Sequence, residues 1–497
     1  MFEGSFLTTK GHRSYRANDQ IFHSLYDPEK EVENFIFSLE IKNINPSFIL
    51  IGETMGYLSH ALKRKYPRSR IIAVFPEKDL LQNTPEVDHV CALDSLEAFR
   101  NFLASEITED NLALWTFLVW PPFKRAFPKE TQFFESTFLD FFRQIQGSLL
   151  TQMYFGRTWF LNTLKNLSFF PGYKNPNLKN TPIIIAASGP SLSDNKKDLL
   201  KYRNEYFLLA LPSSLLALKT WGIKPDAVIV SDGGYWSRFH LQYLPVDSWL
   251  IQGTSSVFSP EIHSPRIFYS QDLFYEDEIL KHSKSYLKIP SQGTVAVSAL
   301  NWALKSTAGP IIQVGLDLCY KDDQGHVKPH SFDTMELATS GRLNPWETKK
   351  KAALLQAGLK LLVKDYFTSP SLLTYSSYFK AYVPSRKIYR LNASPQKLEV
   401  FQNISISELP TLFLNNQKEI PKLENPESYR SYLKEWISDI KTQIYMSTKD
   451  KLNDPVEKLI KSIFPQKVQK WNQEGRSEDT WTELKNELTN LLQRFVL

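Results

Sequence analysis

The sequence is poor in cysteine and has no long apolar run, and both absences narrow its class. Two cysteines in 497 residues, Cys91 and Cys319, are too few for a disulfide framework or a cysteine-rich zinc site. The most apolar early stretch, residues 112–123, is too short to cross a membrane. Residues 1–13 contain no apolar segment of signal-peptide length. We therefore expect a cytoplasmic protein with no membrane span.

The sequence also lacks the basic tracts with interleaved aromatics that mark many nucleic-acid binders. Its net charge is +6, from 59 Lys and Arg against 53 Asp and Glu. This balance predicts no nucleic-acid partner, although a small basic excess can attract an anionic sugar nucleotide. A hydrophobic content of 42% is that of a globular chain, and 497 residues are too many for one ordinary core. We therefore expect two or three domains.

Residues 1–125 have the pattern of a small N-terminal α/β domain. A strand over 47–52, a helix over 56–65 and a strand over 70–75 precede Glu77, which is the outline of a dinucleotide or adenosyl-methionine site. However, Glu53-Thr54-Met55 occupies the turn where a second close-approach glycine is needed. This departure favours a structural Rossmann-like domain over a working cofactor site.

The remaining sequence divides into three parts. Residues 126–175 carry an aromatic stripe at helical spacing and predict connecting helices. Strands, the clearest over 183–187, 207–210, 227–230 and 311–315, alternate with helices over 176–421. This alternation predicts a doubly wound, mostly parallel sheet in a central nucleotide-binding domain. Helical periodicity without strands over 422–497 predicts a C-terminal helical domain. The expected fold class is therefore α/β, with a central Rossmann-like domain, a smaller N-terminal α/β domain and helices at the C-terminus.

The clearest candidate for a phosphate-binding loop is Ser188-Gly189-Pro190-Ser191-Leu192. It follows an apolar strand over 183–187, and a helix is expected to begin near Ser193 or Asp194. Free backbone N–H groups and the positive dipole end at a helix start bind phosphate oxygens. The alternative is a helix N-terminus capped by Ser191 or Ser193 with no ligand. Because the Gly-Lys-Ser/Thr ending of a P-loop is absent, the loop does not favour an NTPase.

Two aspartates follow apolar strands further along the chain. Asp232 and Asp317 each stand just beyond a strand, at the carboxyl end where α/β folds place ligand contacts. Asp232 could hold a ribose hydroxyl or a divalent ion, or it could instead cap the next helix. Gly293-Thr294 opens a helix in the same predicted domain.

Two histidines, His326 and His330, lie beyond Asp317. Their spacing suits a metal pair on a helix, but Gly325 and Pro329 argue against a helix there. No third ligand is evident, so the pattern does not favour zinc. A loop histidine beside a nucleotide site is better interpreted as a general base, because its ordinary pKa is near neutrality.

With these landmarks, the chain resembles the motility accessory factors, bacterial proteins implicated in flagellin glycosylation. The resemblance covers roughly residues 45–340 and is specific because its segments occur in order. They are Phe155-Gly156-Arg157-Thr158-Trp159-Phe160-Leu161-Asn162-Thr163-Leu164-Lys165-Asn166-Leu167, the loop 188–192, Pro225-Asp226 with Ser231-Asp232, Gly293-Thr294-Val295-Ala296 and Gly315-Leu316-Asp317-Leu318. The central part is also similar to bacterial sialyltransferases that use CMP-sialic acid, a variant of the GT-A arrangement. Here Ser188 replaces an asparagine of their loop, and Gln292-Gly293-Thr294 replaces a second turn.

The resemblance implies a glycosyltransferase that moves a nonulosonic acid from its CMP donor to Ser or Thr of flagellin. His330, which precedes Ser331, stands where those enzymes carry a catalytic histidine, His326 is the alternative base, and Tyr320 would contact the leaving phosphate. No cofactor is required by this scheme, although Asp232 could recruit a divalent metal. The implied nucleotide-binding residues are Ser188, Gly189, Pro190, Ser191, Leu192, Asp232, Gly293, Thr294 and Asp317.

Two other functions remain open from the sequence. The same core resembles MptE-like archaeal enzymes that transfer pyrophosphate from ATP to a 6-hydroxymethylpterin. Such an enzyme does not need the additional N-terminal domain or the helical C-terminus. The other alternative is a non-catalytic flagellin-binding protein, whose biological activity would survive substitution of both His326 and His330.

Overall fold

The computed structural model describes the chain except residues 1, 42, 44, 53–54, 76–86, 93–95, 109–110, 292, 381–385, 392–393, 415–416 and 496–497. The predictions that concern Glu53-Thr54, Glu77 and Gln292 therefore lie outside the described residues. The chain forms two compact units. The first comprises Met1–Arg157 and Lys441–Arg494, and the second comprises Thr158–Ile440 and Phe495–Leu497.

The elements follow one another along the chain in three stretches. Up to residue 169 they are β1 (Phe2–Leu7), β2 (Arg13–Ala17), β3 (Gln20–Ile21), α1 (Pro28–Phe37), β4 (Ser47–Ile51), α2 (Tyr57–Lys65), β5 (Ile71–Phe75), β6 (His89–Ala92), α3 (Leu96–Glu106), β7 (Trp115–Val119), α4 (Pro121–Ala126) and α5 (Pro128–Phe169). From residue 183 to residue 321 they are β8 (Ile183–Ala186), α6 (Lys196–Lys201), β9 (Phe207–Ala210), α7 (Leu215–Thr220), β10 (Ala227–Val230), α8 (Arg238–Leu241), β11 (Trp249–Gly253), β12 (Arg266–Tyr269), α9 (Phe274–Leu280), α10 (Val295–Ser306), β13 (Ile311–Val314) and β14 (Tyr320–Lys321). The remainder are α11 (Ser331–Ala338), α12 (Trp346–Gln356), β15 (Lys360–Val363), β16 (Tyr366–Thr368), α13 (Pro370–Lys380), β17 (Tyr389–Leu391), β18 (Gln402–Ile404), α14 (Leu409–Phe413), α15 (Arg430–Met446), α16 (Asp454–Ile463), α17 (Pro465–Gln473) and α18 (Glu478–Gln493).

The first unit contains a parallel four-stranded sheet in the order β6-β5-β4-β7 and an antiparallel sheet β1-β2-β3. Gly52, directly after β4, has a φ of +91°, and a Cβ there would overlap the side chain of Phe123. The close approach at this glycine is therefore made by a side chain of the protein. This packing supports the structural interpretation of the first unit.

The second unit is built on an eight-stranded sheet in the order β12-β11-β10-β9-β8-β13-β17-β18, with every pair parallel. The residues of β8 alternate between two hydrophobic cores. Ile183 and Ile185 belong to one, and Ile184 and Ala186 belong to the other. A strand covered on both faces must be apolar throughout, which is why this run predicts a buried strand.

The fold class predicted from the sequence is confirmed. The predicted strands at 207–210 and 227–230 coincide with β9 and β10, and the aromatic stripe lies on α5. The helical C-terminus is also present, as α15 to α18. Among the described residues, no helix has both the length and the apolarity to cross a bilayer.

Candidate functional site

The strand order of the second unit reverses between β8 and β13. Strands β9 to β12 follow β8 on one side, and β13, β17 and β18 lie on the other. At such a switch point the loops after the two central strands diverge and leave a crevice at the carboxyl edge of the sheet. The loop 188–192 follows β8, and the segment from Gly315 to Asp317 follows β13, so the structure brings these two predicted segments together.

The carboxylate of Asp317 fixes the loop 188–192. It accepts hydrogen bonds from the backbone N–H of Ser191 at 2.7 Å and from its hydroxyl at 2.6 Å. Gly189 donates its N–H to the carbonyl of Gly315 at 2.7 Å, and a Cβ at Gly189 would lie 2.5 Å from both that oxygen and Asp317 Oδ2. A glycine is therefore required here by the approach of protein atoms.

These contacts differ from the predicted phosphate cradle. The N–H groups of Gly189, Ser191 and Leu192 all donate to protein acceptors, and Pro190 has no N–H. The helix expected at Ser193 or Asp194 is also displaced. A 3-10 turn covers Pro190–Asn195, and α6 begins at Lys196. The turn arises because the N–H of Leu192 bonds Gly189, three residues back.

The backbone around Asp317 is held in turn by Arg390 and Ser394. Arg390 donates to the carbonyl of Leu316 and to the hydroxyl of Ser394, both at 2.6 Å, and Ser394 donates to the carbonyl of Asp317 at 2.7 Å. Asp317 is 5% exposed, and burial raises the pKa of its carboxyl group. Asp317, predicted to contact a nucleotide, thus positions the loop 188–192 instead.

His326 reaches the first residue of the loop. Its Nδ1 lies 3.1 Å from the hydroxyl oxygen of Ser188, which also accepts a hydrogen bond from the hydroxyl of Ser213 at 2.8 Å. The backbone carbonyl of Ser188 accepts from the N–H of Val327 at 2.7 Å. Two contacts therefore fasten the histidine segment to the loop after β8.

Three histidines form a cluster beside this contact. The rings of His326 and His330 stack with centroids 4.4 Å apart and an angle of 6°, and His330 lies 5.3 Å from His240 of α8. The Nδ1 of His240 is hydrogen-bonded to the hydroxyl of Ser331. The sequence does not single out His240, because nothing near it in the chain identifies Ser331, 91 residues away, as its partner.

The histidines differ in their exposure and acidity. His326 is exposed as a residue, but the protein packed around its ring desolvates the charged form and so lowers its pKa. His330 is 3% exposed, its Nε2 has no hydrogen-bond partner among the described residues, and its pKa is lowered to about 3 by burial and by the neighbouring His326. Burial likewise lowers the pKa of His240 to about 4. Since burial disfavours the charged form, the two buried rings are neutral at physiological pH.

The same residues do not suit a metal ion. The stacked rings of His326 and His330 face each other, so their nitrogens do not converge on a common point. In the described part of the chain, no three His, Cys, Asp or Glu side chains are arranged to hold a metal. Asp232 supplies a single carboxylate, and its Oδ1 accepts the N–H of Gly234 at 2.8 Å.

Two buried asparagines on α5 hold the neighbouring loops. Asn162 donates to the carbonyls of Gly233 and Ser255 at 3.1 and 3.3 Å, and Asn166 donates to those of Thr254 and Ser256 at 2.9 Å. A spacing of four residues places both amides on one face of the helix. The spacing is visible in the sequence, but the carbonyls that these amides reach are not.

The remaining predicted residues are Tyr320, Gly293 and Thr294. Tyr320 is in β14, and its ring packs against Gly325, where a Cβ would lie 2.8 Å from Cε1. Tyr320 is thereby close to the residue before His326. Thr294 caps α10 through Ala296, and a Cβ at Gly293, whose φ is +74°, would overlap the ring of Tyr378.

Comparison with known proteins supports the predicted resemblance. Residues 160–323 match the family model of MptE-like 6-hydroxymethylpterin diphosphokinases. Over the whole chain, the fold matches a MAf glycosyltransferase from Magnetospirillum magneticum AMB-1, with a TM-score of 0.59 and 10% sequence identity. The match covers 100% of this chain and 92% of the other. The similarity to motility accessory factors is thus confirmed for the fold, and the similarity to MptE-like proteins for the central domain.

Two relatives are uncharacterized proteins of Treponema pallidum (strain Nichols). One is 27% identical over 301 residues, which cover 59% of this chain and 63% of the relative. The second is 29% identical over 128 residues, which cover 25% of this chain and 61% of the relative. The chain therefore matches less than two thirds of the length of either relative.

Proposed function

We propose that the chain is a cytoplasmic glycosyltransferase that moves a nonulosonic acid from a CMP donor to Ser or Thr hydroxyls of flagellin. Its fold, shared with a MAf glycosyltransferase, supports transferase chemistry. The observation that carries the proposal is the hydrogen bond between the exposed residue His326 and Ser188 at the switch point. A solvent-accessible imidazole beside a nucleotide-binding crevice is suited to remove a proton from an acceptor hydroxyl.

The proposed step uses the Nδ1–H tautomer of His326, which the hydroxyl network can accommodate. Because Ser213 donates to Ser188 Oγ, the Nδ1–H tautomer lets Ser188 accept a second hydrogen bond from His326. This tautomer leaves Nε2 unprotonated and free to accept the proton of the acceptor. The hydroxyl hydrogen of Ser188 is then available for an oxygen of the donor phosphate.

In the proposed step, the acceptor oxygen attacks the anomeric carbon on the face opposite the nucleotide, so the configuration inverts. The bond between the anomeric carbon and the phosphate oxygen breaks, and CMP leaves with the electron pair. The acceptor proton passes to His326 Nε2. The hydroxyls of Ser188 and Tyr320 donate to the departing phosphate, where negative charge develops. Asp232 is assigned to a ribose hydroxyl, and the step requires no metal.

A second candidate is pyrophosphate transfer from ATP to a hydroxymethylpterin, favoured by the family match over residues 160–323. The two candidates share a nucleotide site at the switch point but differ in the nucleotide. A nucleoside monophosphate and a triphosphate therefore distinguish them.

The test is calorimetric titration with CMP and, separately, with ATP. We expect CMP to bind wild type and not Ser191→Trp, whose indole would occupy the loop held by Asp317. The control is Ser407→Trp, which adds the same side chain at an exposed position. Binding of ATP without CMP would establish the pyrophosphokinase candidate. Binding of neither would favour a non-catalytic flagellin-binding role.

A further inference from the structure

The turn after β10 presents an exposed aromatic pair that the proposed step does not use. Tyr235 and Trp236 are 62% and 56% exposed, and their ring centroids are 5.5 Å apart. Both lie on the 3-10 turn Tyr235–Ser237, which begins three residues after Asp232. Adjacent exposed aromatics at the edge of a site are typical of a ligand surface, because their rings lose little conformational entropy on contact.

The turn that carries the pair is held in place. A Cβ at Gly233 would lie 2.5 Å from Cδ1 of Trp159, and Asn162 donates to the carbonyl of Gly233. The guanidinium of Arg238 lies 5.4 Å from the ring centre of Tyr235 and pairs with Glu261 at 2.9 and 3.0 Å. The two rings are thus preorganised, and the charge of Arg238 is already paired.

The aromatic pair is continuous with the histidine cluster. Trp236 contacts Phe239 with centroids 5.3 Å apart, and the next residue is His240. The ring of His240 lies 5.3 Å from that of His330, which stacks on His326. The 3-10 turn that carries the exposed rings therefore runs directly into α8, which carries His240 of the cluster.

We propose that Tyr235 and Trp236 form the subsite for the sugar ring that is transferred. This inference rests on the proposed function, which places a sugar donor in the crevice. The C–H face of a pyranose is apolar and packs against aromatic rings, whereas its hydroxyls remain in water. Asp232, to which the ribose is assigned, lies three residues before the turn, so the pair stands beside the proposed donor contact in the chain.

The experiment measures binding of free N-acetylneuraminic acid, the probe for this sugar class, by saturation-transfer NMR. We expect wild type to bind the probe and Trp236→Ala to bind it about tenfold more weakly, the effect of losing one aromatic contact. Tyr235→Ala should show a loss in the same direction. Tyr445→Ala, which removes a tyrosine that is 83% exposed on α15, is the matched control and should bind like wild type. Thermal melts establish that each variant is folded.

Parallel titration with CMP separates this inference from the proposed function. We expect Trp236→Ala to keep the wild-type affinity for CMP. An equal loss for CMP and for the sugar would show that the base stacks on Trp236 and would overturn the sugar subsite. Failure of wild type to bind the sugar would also overturn it, even with CMP bound. Sugar binding without CMP binding would retain the subsite and contradict the CMP donor.

Discussion

His326 and His330 are identical side chains four residues apart, and their surroundings give them different chemistry. His326 is an exposed residue that contacts Ser188, whereas His330 is buried and its pKa is lowered to about 3. A general base is most effective when its pKa is close to the working pH. We therefore assign proton abstraction to His326 and support of its ring to His330.

Substitution of the two histidines tests this assignment. We expect His326→Ala to lower the rate constant of sugar transfer by about 100-fold or more, the usual contribution of a general base. His330→Ala should lower it by about tenfold, because it removes a stacking partner and leaves the base in place. The measurement is single-turnover transfer from CMP-sugar to flagellin, with the exposed His282→Ala as the control.

The pH profile gives a second readout for the same variants. Because the pKa of His326 is lowered, the acid limb of the rate should lie below the ordinary histidine value of about 6.5. The limb should disappear in His326→Ala and persist in His330→Ala. Full activity of His326→Ala, or a larger loss in His330→Ala, would reverse the two roles.

Among the elements, the loops after β8 and β13 act as one structure. The contact between Ser191 and Asp317 joins residues 126 positions apart, and Arg390 supports it from a third strand, β17. The sequence correctly indicates that both loops lie at the carboxyl edge of the sheet, since each follows an apolar run. It does not indicate that Asp317 bonds the loop, because pairing between loops depends on strand order.

Asp317→Asn tests the positioning role of this contact. The amide can no longer accept hydrogen bonds from both the N–H and the hydroxyl of Ser191, so the loop loses a charge-assisted bond of about 2 kcal/mol. We expect affinity for CMP to fall about tenfold while the chain remains folded. Asp194→Asn removes an exposed charge from the same turn and should leave the affinity unchanged. Wild-type affinity in Asp317→Asn would show that the loop keeps its shape without the carboxylate.

Some strands can also be predicted from their own sequence, whereas others cannot. Runs such as 207–210 are apolar throughout and bounded by turns, so they predict strands of the correct length. Strands β17 and β18, the last two strands at one end of the sheet, have three residues each, and their sequences carry too little periodicity to be recognised. The sequence also does not predict the antiparallel sheet β14-β16-β15, because β14 has only two residues and two residues show no alternating pattern.

For the whole molecule, the C-terminal helices are grouped differently by the sequence and by the structure. The sequence predicts a separate helical domain over 422–497, whereas the structure groups most of these residues with the N-terminal part of the chain. The first unit includes residues 441–494, which follow the second unit in the chain. Helical periodicity identifies α16, whose apolar residues Val456, Leu459, Ile460 and Ile463 share one face. Periodicity shows that a helix has a buried face, but the sequence does not show which unit covers that face.

Both units contain buried neutral histidines, and this gives the protein a predictable response to acid. In the first unit, His23 is 1% exposed, and neither ring nitrogen has a hydrogen-bond partner within the described residues. It stacks on Trp120 with centroids 5.3 Å apart, and burial lowers its pKa to about 3. His240 and His330 in the second unit also have lowered pKa values. An unfolded histidine binds its proton near pH 6.5, so below that pH the unfolded chain takes up protons that the folded chain does not.

Stability should therefore fall as the pH drops below about 6.5, and each such histidine contributes about 1.4 kcal/mol per pH unit. Glu276 acts in the opposite direction, because burial raises its pKa to about 7 and the folded state binds its proton more tightly. The difference in pH dependence between wild type and a variant is consequently more informative than the pH dependence of wild type alone.

His23→Phe keeps an aromatic ring beside Trp120 but does not titrate. Thermal melts of both proteins at about pH 7.5 and about pH 5.5 measure how much stability each loses on acidification. We expect the loss for His23→Phe to be smaller than the loss for wild type by about 1 kcal/mol. Equal losses in the two proteins would mean that His23 is protonated in the folded state.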